Sequence, residues 1–286
     1  MEMRICMKRF KPSKIHVILI AFALLIIYIA CGLYADLKTT TYDLSSNKLP
    51  KSFDGFKIAN ISDLHCSYFG ENQEHLIEAI KEYNPDIIVL TGDIIDENNI
   101  DFNCVEKMLS GICDIAPIYS VSGNHELSHY KAHMKLKRMY ESYGVNILEN
   151  EEVSIIRDGE EIRLFGLAYI GSYGGKSVST VVGERMPKAD DDYYSILLHH
   201  RSDIFDSLSL FGYDLVIAGH THGGVIRLPF VGGVLSNDHT LFPEYDGGIF
   251  IENDSTMISS KGLGESNSIP RFYNRRELVF ITLHCE

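Results

Sequence analysis

Five apolar runs in this sequence each stop on a carboxylate, an amide or an imidazole. "ISDLH" presents Asp63 and His65, and "LTGD" presents Asp93. "VSGNHE" carries Asn124 and His125, "ILLHH" carries His199 and His200, and "IAGHTH" carries His220 and His222. Hard carboxylate oxygens and borderline imidazole nitrogens are the donor set for Zn, Mn and Fe ions. Each piece alone has an ordinary alternative. Asp-x-His recurs by chance, and Gly-Asp after a strand is a common turn or helix cap. Asn124 suits a tight turn with asparagine in the left-handed region. His-x-His fenced by glycine can be a turn that happens to contain histidine. Their shared placement is the informative feature, because α/β sheets put their sites at the carboxyl ends of strands.

The elements that must position these residues are legible as changes of period. "FKIANIS" reads as a strand, and "NQEHLIEAIKEY" sets Leu76, Ile77, Ile80 and Tyr83 at helical spacing. "DIIVLTGD", "YSILLHH" and "DLVIAGH" are short continuous apolar runs, as in strands buried on both faces. A helical stretch falls near Cys104 to Leu109, "PIYSVSG" is a strand, and "SHYKAHMKLKRMYESYG" is a helix ending at Gly144. "DIFDSLSLFG" reads as a short helix. Asp158-Gly159 marks a hairpin, "GGIFIENDSTMISSKG" a second one, and "ELVFITL" a closing strand. Residues 171–192 read as a Gly- and Ser-rich loop. Helices and strands alternate first and hairpins dominate later, which suits a layered α/β domain with mixed sheets.

The N-terminus differs from the rest. Met1 to Lys14 holds Arg4, Lys8, Arg9, Lys11 and Lys14 against Glu2, and Ile15 to Ala35 has no formal charge. Such a run can span a bilayer as a helix, and its basic flank orients it with the N-terminus in the cytosol. A cleaved signal peptide is the competing reading, but the segment lacks a good small-x-small cleavage site. The expectation is an uncleaved single-pass anchor in the cell membrane, with the rest of the chain on the outer side. The formal net charge is −13 overall and near −17 once the first 35 residues are set aside. That balance opposes nucleic-acid binding. The six cysteines include no CxxC pair. Cys104 and Cys113 either pair in an oxidising compartment or stay free.

The order D-x-H, G-D, G-N-H, H and G-H-x-H resembles the calcineurin-like metallophosphoesterase family over about Phe56 to Leu283. "GHTHGGVIRLP" and "SSKGLGESNSIPRFYNRREL" resemble a membrane-associated branch that includes UDP-2,3-diacylglucosamine pyrophosphohydrolase-like phosphodiesterases. The resemblance implies an α/β/β/α four-layer sandwich of mixed sheets. It implies two divalent ions (Mn, Zn, Fe or Mg), one held by Asp63, His65 and His222 and one by Asn124, His200 and His220. Asp93 would bridge them through its two oxygens, offsetting their repulsion. Gly219, Gly223 and Gly224 would let His220 and His222 face different ions. His125 would be the general acid, oriented by Asp96, with a helix cap as the ordinary alternative for Asp96. Aligning "ILL" and Asp203 makes His200 the ligand and His199 its outward neighbour. Ser202 stands where proline is usual, Glu126 where aspartate is common, Val225 for a frequent glutamine and Arg276 for a frequent proline. Arg271 and Arg201 are open to a substrate phosphate or to a structural salt bridge.

The expected segments are a basic cytosolic stretch 1–14, an anchor 15–35, a linker 36–55 and a metallophosphoesterase domain 56–286. The expected reaction is attack of metal-bound hydroxide on a phosphodiester or pyrophosphate, with a lipid-linked substrate suggested by the anchor. A phosphomonoesterase, a cyclic-nucleotide phosphodiesterase or a non-catalytic scaffold of the same fold are the alternatives.

Overall fold

The computed structural model of the chain describes residues 13–237, 239–265 and 269–286. Residues 1–12 of the basic stretch and 266–268 of the second family-like stretch lie outside the described residues. In chain order the elements are α1 (Lys14–Gly32), β1 (Lys38–Ser46), β2 (Phe56–Ile61), α2 (Glu74–Tyr83), β3 (Ile87–Leu90), α3 (Phe102–Ile112), β4 (Ile118–Ser120), α4 (Asn124–Ser128), α5 (Tyr130–Ser142) and β5 (Asn146–Ile147). They continue with β6 (Glu151–Arg157), β7 (Glu160–Gly166), α6 (Val178–Arg185), β8 (Ser195–Arg201), α7 (Phe205–Leu208), β9 (Leu215–Gly219), β10 (Ile226–Leu228), β11 (Gly232–Leu235), β12 (Gly248–Glu252), β13 (Ser255–Ser259) and β14 (Glu277–Cys285).

Two mixed sheets result, in the orders β1-β14-β2-β3-β4-β5 and β12-β13-β9-β8-β7-β6. Strand alternation assigns their faces. In β3, Ile88 and Leu90 join Leu76, Ile80, Val105, Met108, Leu109 and Leu136 of the helices α2, α3 and α5. Ile87 and Val89 face the other way, onto Ile196, Leu198, Leu215 and Ile217 of the second sheet. Leu197, Val216 and Ala218 then turn outward onto Val181, Val182, Phe205 and Leu208 of α6 and α7. Three apolar layers therefore separate four structural ones, the α/β/β/α sandwich. Each fully buried Leu or Ile contributes about 1.5–3 kcal/mol to holding it.

The hairpin turns follow their sequence chemistry. Asp158 and Gly159 hold φ of 52° and 85° between the paired Arg157 and Glu160. Asn253 and Asp254 hold 47° and 65° between Glu252 and Ser255. Positive φ at both central residues matches the twist of the flanking strands.

Two expectations are corrected and one open alternative is resolved. The segment 36–55 is no linker: β1 pairs in parallel with β14 over nine residues, Lys38 to Ser46. It is a half-exposed edge strand whose inward face holds Thr40, Tyr42, Leu44 and Ser46, of which only Tyr42 and Leu44 are apolar, so its polar composition hides it. The loop 171–192 contains α6, capped by the Ser177 hydroxyl accepting from the Thr180 N–H and seated by buried Val181 and Val182. Cys104 and Cys113 are free thiols at the start and just past the end of α3. Nine residues of helix separate them by about 13 Å, beyond disulfide reach.

Helix α1 stands apart from the sandwich. Its 19 residues span about 28 Å, and only Gly32 is buried. It is long and apolar enough to cross a membrane. It ends at Gly32 rather than residue 35, where Phe272 and Tyr273 receive it. Tyr273 donates its N–H to the Gly32 carbonyl at 2.6 Å and its hydroxyl to the Tyr28 carbonyl at 3.0 Å. A Cβ at Gly32 would lie 2.3 Å from the Phe272 ring, so only glycine permits this contact.

Candidate metal centre

The chemistry-bearing residues converge where β2, β3, β4, β8 and β9 end. Asp63 and His65 follow β2, Asp93 follows β3, Asn124 and His125 open α4, His200 lies late in β8, and His220 and His222 follow β9. Asp63, His65, Asp93, His220 and His222 all hold left-handed backbone, with φ from 44° to 76°. Such a conformation costs an L-residue about 1–2 kcal/mol and persists only where its surroundings over-determine it. The loops do so by bonding to one another. Asp63 N–H donates to Gly92, His65 N–H to Asp93, and Gly264 N–H to Asp63.

Three close groups form among the described residues, each with one donor atom per residue inside 4.8 Å: Asp63, His65 and His222; Asp93, His200 and His220; and His65, Asp96 and His125, which shares His65 with the first. In the first, His65 Nε2 lies 3.1 Å from His222 Nε2, which lies 3.4 Å from Asp63 Oδ1. In the second, His200 Nε2 lies 3.1 Å from Asp93 Oδ2 and 3.2 Å from His220 Nδ1. Asp93 joins the first two groups. Its Oδ2 is also 3.8 Å from the Nε2 atoms of both His65 and His125. Its Oδ1 is committed elsewhere, accepting the His125 N–H at 2.9 Å. Oδ2 is thus the oxygen that faces members of both groups. Asn124 Oδ1 is buried with no hydrogen-bond partner. A buried carbonyl oxygen without a donor is destabilising unless a cation satisfies it. The donor set and this orphaned oxygen fit a pair of divalent ions.

His199 and His200 leave β8 on opposite sides. His199 is buried with Nδ1 against the Leu167 carbonyl at 3.0 Å, and burial depresses its pKa to about 3. His200 bonds the Thr91 carbonyl through Nδ1 at 2.8 Å and turns Nε2 to Asp93. Burial opposes its protonation, but the charge of Asp93 prevails and lifts its pKa to about 10. Burial, then the charge of His200, lowers His220 to about 4. Burial opposes ionisation of Asp93, yet the imidazoles of His200, His65 and His125 hold its carboxyl well below the usual range.

Asp96 stands beside two imidazoles. Its Oδ2 is 3.3 Å from His65 Nδ1 but 3.9 Å from His125 Nδ1. The nearest donor to His125 Nδ1 is the Glu97 backbone N–H at 3.0 Å, which leaves Nε2 to carry the proton of the neutral ring. Asp96 also accepts the Asn98 and Asn99 N–H groups through Oδ1, which makes a turn and not the alternative helix cap, since the N-cap of α3 is Asp101. Arg271 is buried and makes no ion pair among the described residues. It donates to the Lys261 and Gly264 carbonyls and places Nη2 3.2 Å from His222 Nδ1. Arg201 makes the salt bridge, with Asp203, and also donates to the Tyr173 hydroxyl.

Two positioning residues escape a reading of the motifs. Glu126 is wholly buried and its carboxylate accepts four backbone N–H groups, from Asp93, Ile94, Ile95 and Gly123. It ties the loop carrying Asp93 to the start of α4. Its spacing from Gly123 is that of a capping box, the one signal that could have found it. Asn274 donates from Nδ2 to the His222 carbonyl at 2.7 Å, and nothing local marks it.

Glycine acts here through close approach. A Cβ at Gly219 would lie 2.1 Å from Ser62 Oγ and 2.2 Å from Asp63 Oδ2. The turn itself is made by His220 and His222, with Gly223 and Gly224 continuing the left-handed run. Gly219→Ala is expected to displace Asp63 and to lower affinity for the cation beside it by about 10–100-fold, the range for disturbed ligand support. Calorimetric titration with Mn²⁺ measures this. Wild-type affinity in the variant would contradict it.

These features define a class. The calcineurin-like phosphoesterase family matches residues 56–224, and the chain belongs to that family. An uncharacterized metallophosphoesterase of Aquifex aeolicus is 30% identical over 273 residues, 90% of this chain and 97% of that protein. The uncharacterized metallophosphoesterase YkuE of Bacillus subtilis is 29% identical over 254 residues, 86% of this chain and 85% of its own. The phosphodiesterase YaeI of Escherichia coli is 28% identical over 183 residues, 62% of this chain and 64% of its own.

Proposed function

We propose that this chain is a membrane-anchored, two-metal hydrolase of a phosphodiester or pyrophosphate bond. The observation that carries the reading is Asp93 Oδ2 standing between the two donor groups. In this reading Asp63, His65 and His222 hold one ion, and Asn124, His200 and His220 hold the other. A divalent pair, when bound, supplies Lewis acidity toward phosphate oxygens and an activated water. His200 gives up its proton as its cation binds. His125 presents Nε2–H to the leaving oxygen; burial lowers its pKa, and the carboxylates of Asp93 and Asp96, at 3.8 and 3.9 Å, offset this only in part. Asp96 orients His65 through Nδ1 and fixes which nitrogen faces the ion.

The exposed apolar α1 supports the anchor, and its basic flank supports a cytosolic N-terminus with the catalytic domain outside. A substrate at the membrane, such as a lipid-linked pyrophosphate, follows from that placement. The similarity to the phosphodiesterase YaeI favours a diester over a monoester.

The test uses the full chain in detergent with a chromogenic phosphodiester, after chelation and again with Mn²⁺. Turnover is expected only with metal. His125→Ala is expected to lose about 10²–10⁴-fold in kcat, the usual worth of a general acid, while keeping its metal content. Unchanged turnover in that variant would remove His125 from the mechanism. Absence of metal binding by the wild type would sink the whole reading. A reporter fused at Glu286 and active only inside the cell would reverse the assigned side.

A further inference from the structure

Outside α1, five exposed large apolar side chains lie together, while others are spread over the surface. Leu228, Phe230 and Val231 lie on the β10–β11 hairpin, and Leu241 and Phe242 lie beside it. The two parts are stitched together by Phe242 N–H donating to the Val234 carbonyl and by a bridge between Leu235 and Leu241. Phe230 is fully exposed and holds φ 68°, a conformation unfavourable for a bulky residue. An aromatic ring held out in water at the cost of backbone strain is a contact surface lacking its partner.

This tip is continuous with the base of α1. Arg227 of β10 donates its N–H to the Phe272 carbonyl, and Phe272 N–H returns to Val225. Phe272 and Tyr273 in turn pack on Tyr28, in the last turn and a half of α1. Between them lies a cavity of about 210 Å³ lined by Lys38, Arg227, Lys261, Tyr273, Asn274, Arg275 and Glu277. Lys261 is paired with Glu277 and Arg227 with Asp246. Lys38 and Arg275 have no acidic partner among the described residues. A domain with strong net negative charge thus gathers cations where its apolar helix ends.

We propose that the 228–231 and 241–242 tip and this cationic cavity form a second contact with an anionic phospholipid surface, seated beside α1. The proposal rests on α1 spanning that membrane. Charge complementarity to the headgroups and apolar side chains for the acyl boundary are the two components of interfacial binding. The contact turns the family fold from a tethered domain into one held flat against the bilayer, with the segment that supports His222 at the interface.

The chain has no tryptophan, so an introduced one is a unique probe. The full chain is reconstituted into phosphatidylcholine vesicles with or without phosphatidylglycerol, with acyl chains brominated as quenchers. Leu24→Trp reports on α1, Phe230→Trp on the tip, and Ile156→Trp on an exposed site of edge strand β6. Leu24→Trp should be quenched in both lipids and Ile156→Trp in neither. Phe230→Trp should lose roughly half its emission in the anionic vesicles and much less in the zwitterionic ones. Adding Lys38→Glu and Arg275→Glu should abolish that difference. Quenching at Leu24 without quenching at Phe230 overturns the proposal and leaves the anchor standing. Equal quenching at Phe230 in the two lipids overturns the anionic preference. A blue-shifted but unquenched Phe230→Trp signals a protein partner instead, and no quenching at Leu24 removes the anchor itself.

Discussion

Asn in place of Asp93 is expected to abolish turnover by about 10³-fold or more while leaving the fold intact. The electrostatic reason is local. Asp93 Oδ2 faces His200 at 3.1 Å and His65 and His125 at 3.8 Å, so this one carboxylate oxygen lies against members of both donor groups. An amide can keep the Oδ1 bond to the His125 N–H, which preserves the loop. The atom it then turns toward the ions is an NH₂ group, a donor with no lone pair to give. Two cations brought close without a shared carboxylate repel each other, and the lost charge stabilisation is several kcal/mol, or about three decades in rate. Metal content after dialysis, beside circular dichroism, measures the cause directly. Two retained ions together with turnover within tenfold of wild type would show that Asp93 does not bridge.

Glu126→Ala is expected to be the most destabilising single change near the site. The carboxylate accepts from Asp93, Ile94, Ile95 and Gly123, and its truncation strands four N–H groups in a region closed to water. Each buried unsatisfied donor costs about 1–3 kcal/mol, so a loss on the order of 4 kcal/mol or more is expected. Glu126→Gln keeps one acceptor oxygen and should fall between the two. Chemical denaturation of metal-free protein gives the loss, and addition of Mn²⁺ should recover part of it by binding only the native state. A loss under about 1 kcal/mol would mean the four donors find other acceptors. The usual aspartate at this position is one methylene shorter, so Glu126→Asp tests whether reach matters as much as charge.

Much of the architecture was visible in the chain because its signals are local. Continuous apolar runs marked β3, β8 and β9, and the Asp-Gly and Asn-Asp pairs marked hairpins through their tolerance of positive φ. The donor residues were visible because metal chemistry admits few side-chain types, and the strands that end in them were visible too. β1 escaped because its register is dictated by β14, more than 200 residues away, and its exposed face carries polar side chains. Helix α6 escaped because Gly and Ser obscured a short apolar stripe that becomes meaningful only against Phe211 and its neighbours.

By itself, then, the sequence determined the donor set, the alternation of layers, the hairpin turns and an apolar helix at the N-terminus. Each of these depends on residue type and spacing within a few neighbours. Only the tertiary structure decided which atoms meet. It turned His200 inward and His199 away, set Asp93 Oδ2 against His200 and its Oδ1 on the His125 N–H, and put Asp96 nearer His65 than His125. It also buried Arg271 against His222 and set the end of α1 on Phe272 and Tyr273. Those outcomes rest on distances of a few ångströms between segments far apart in the chain. Packing alone sets such distances.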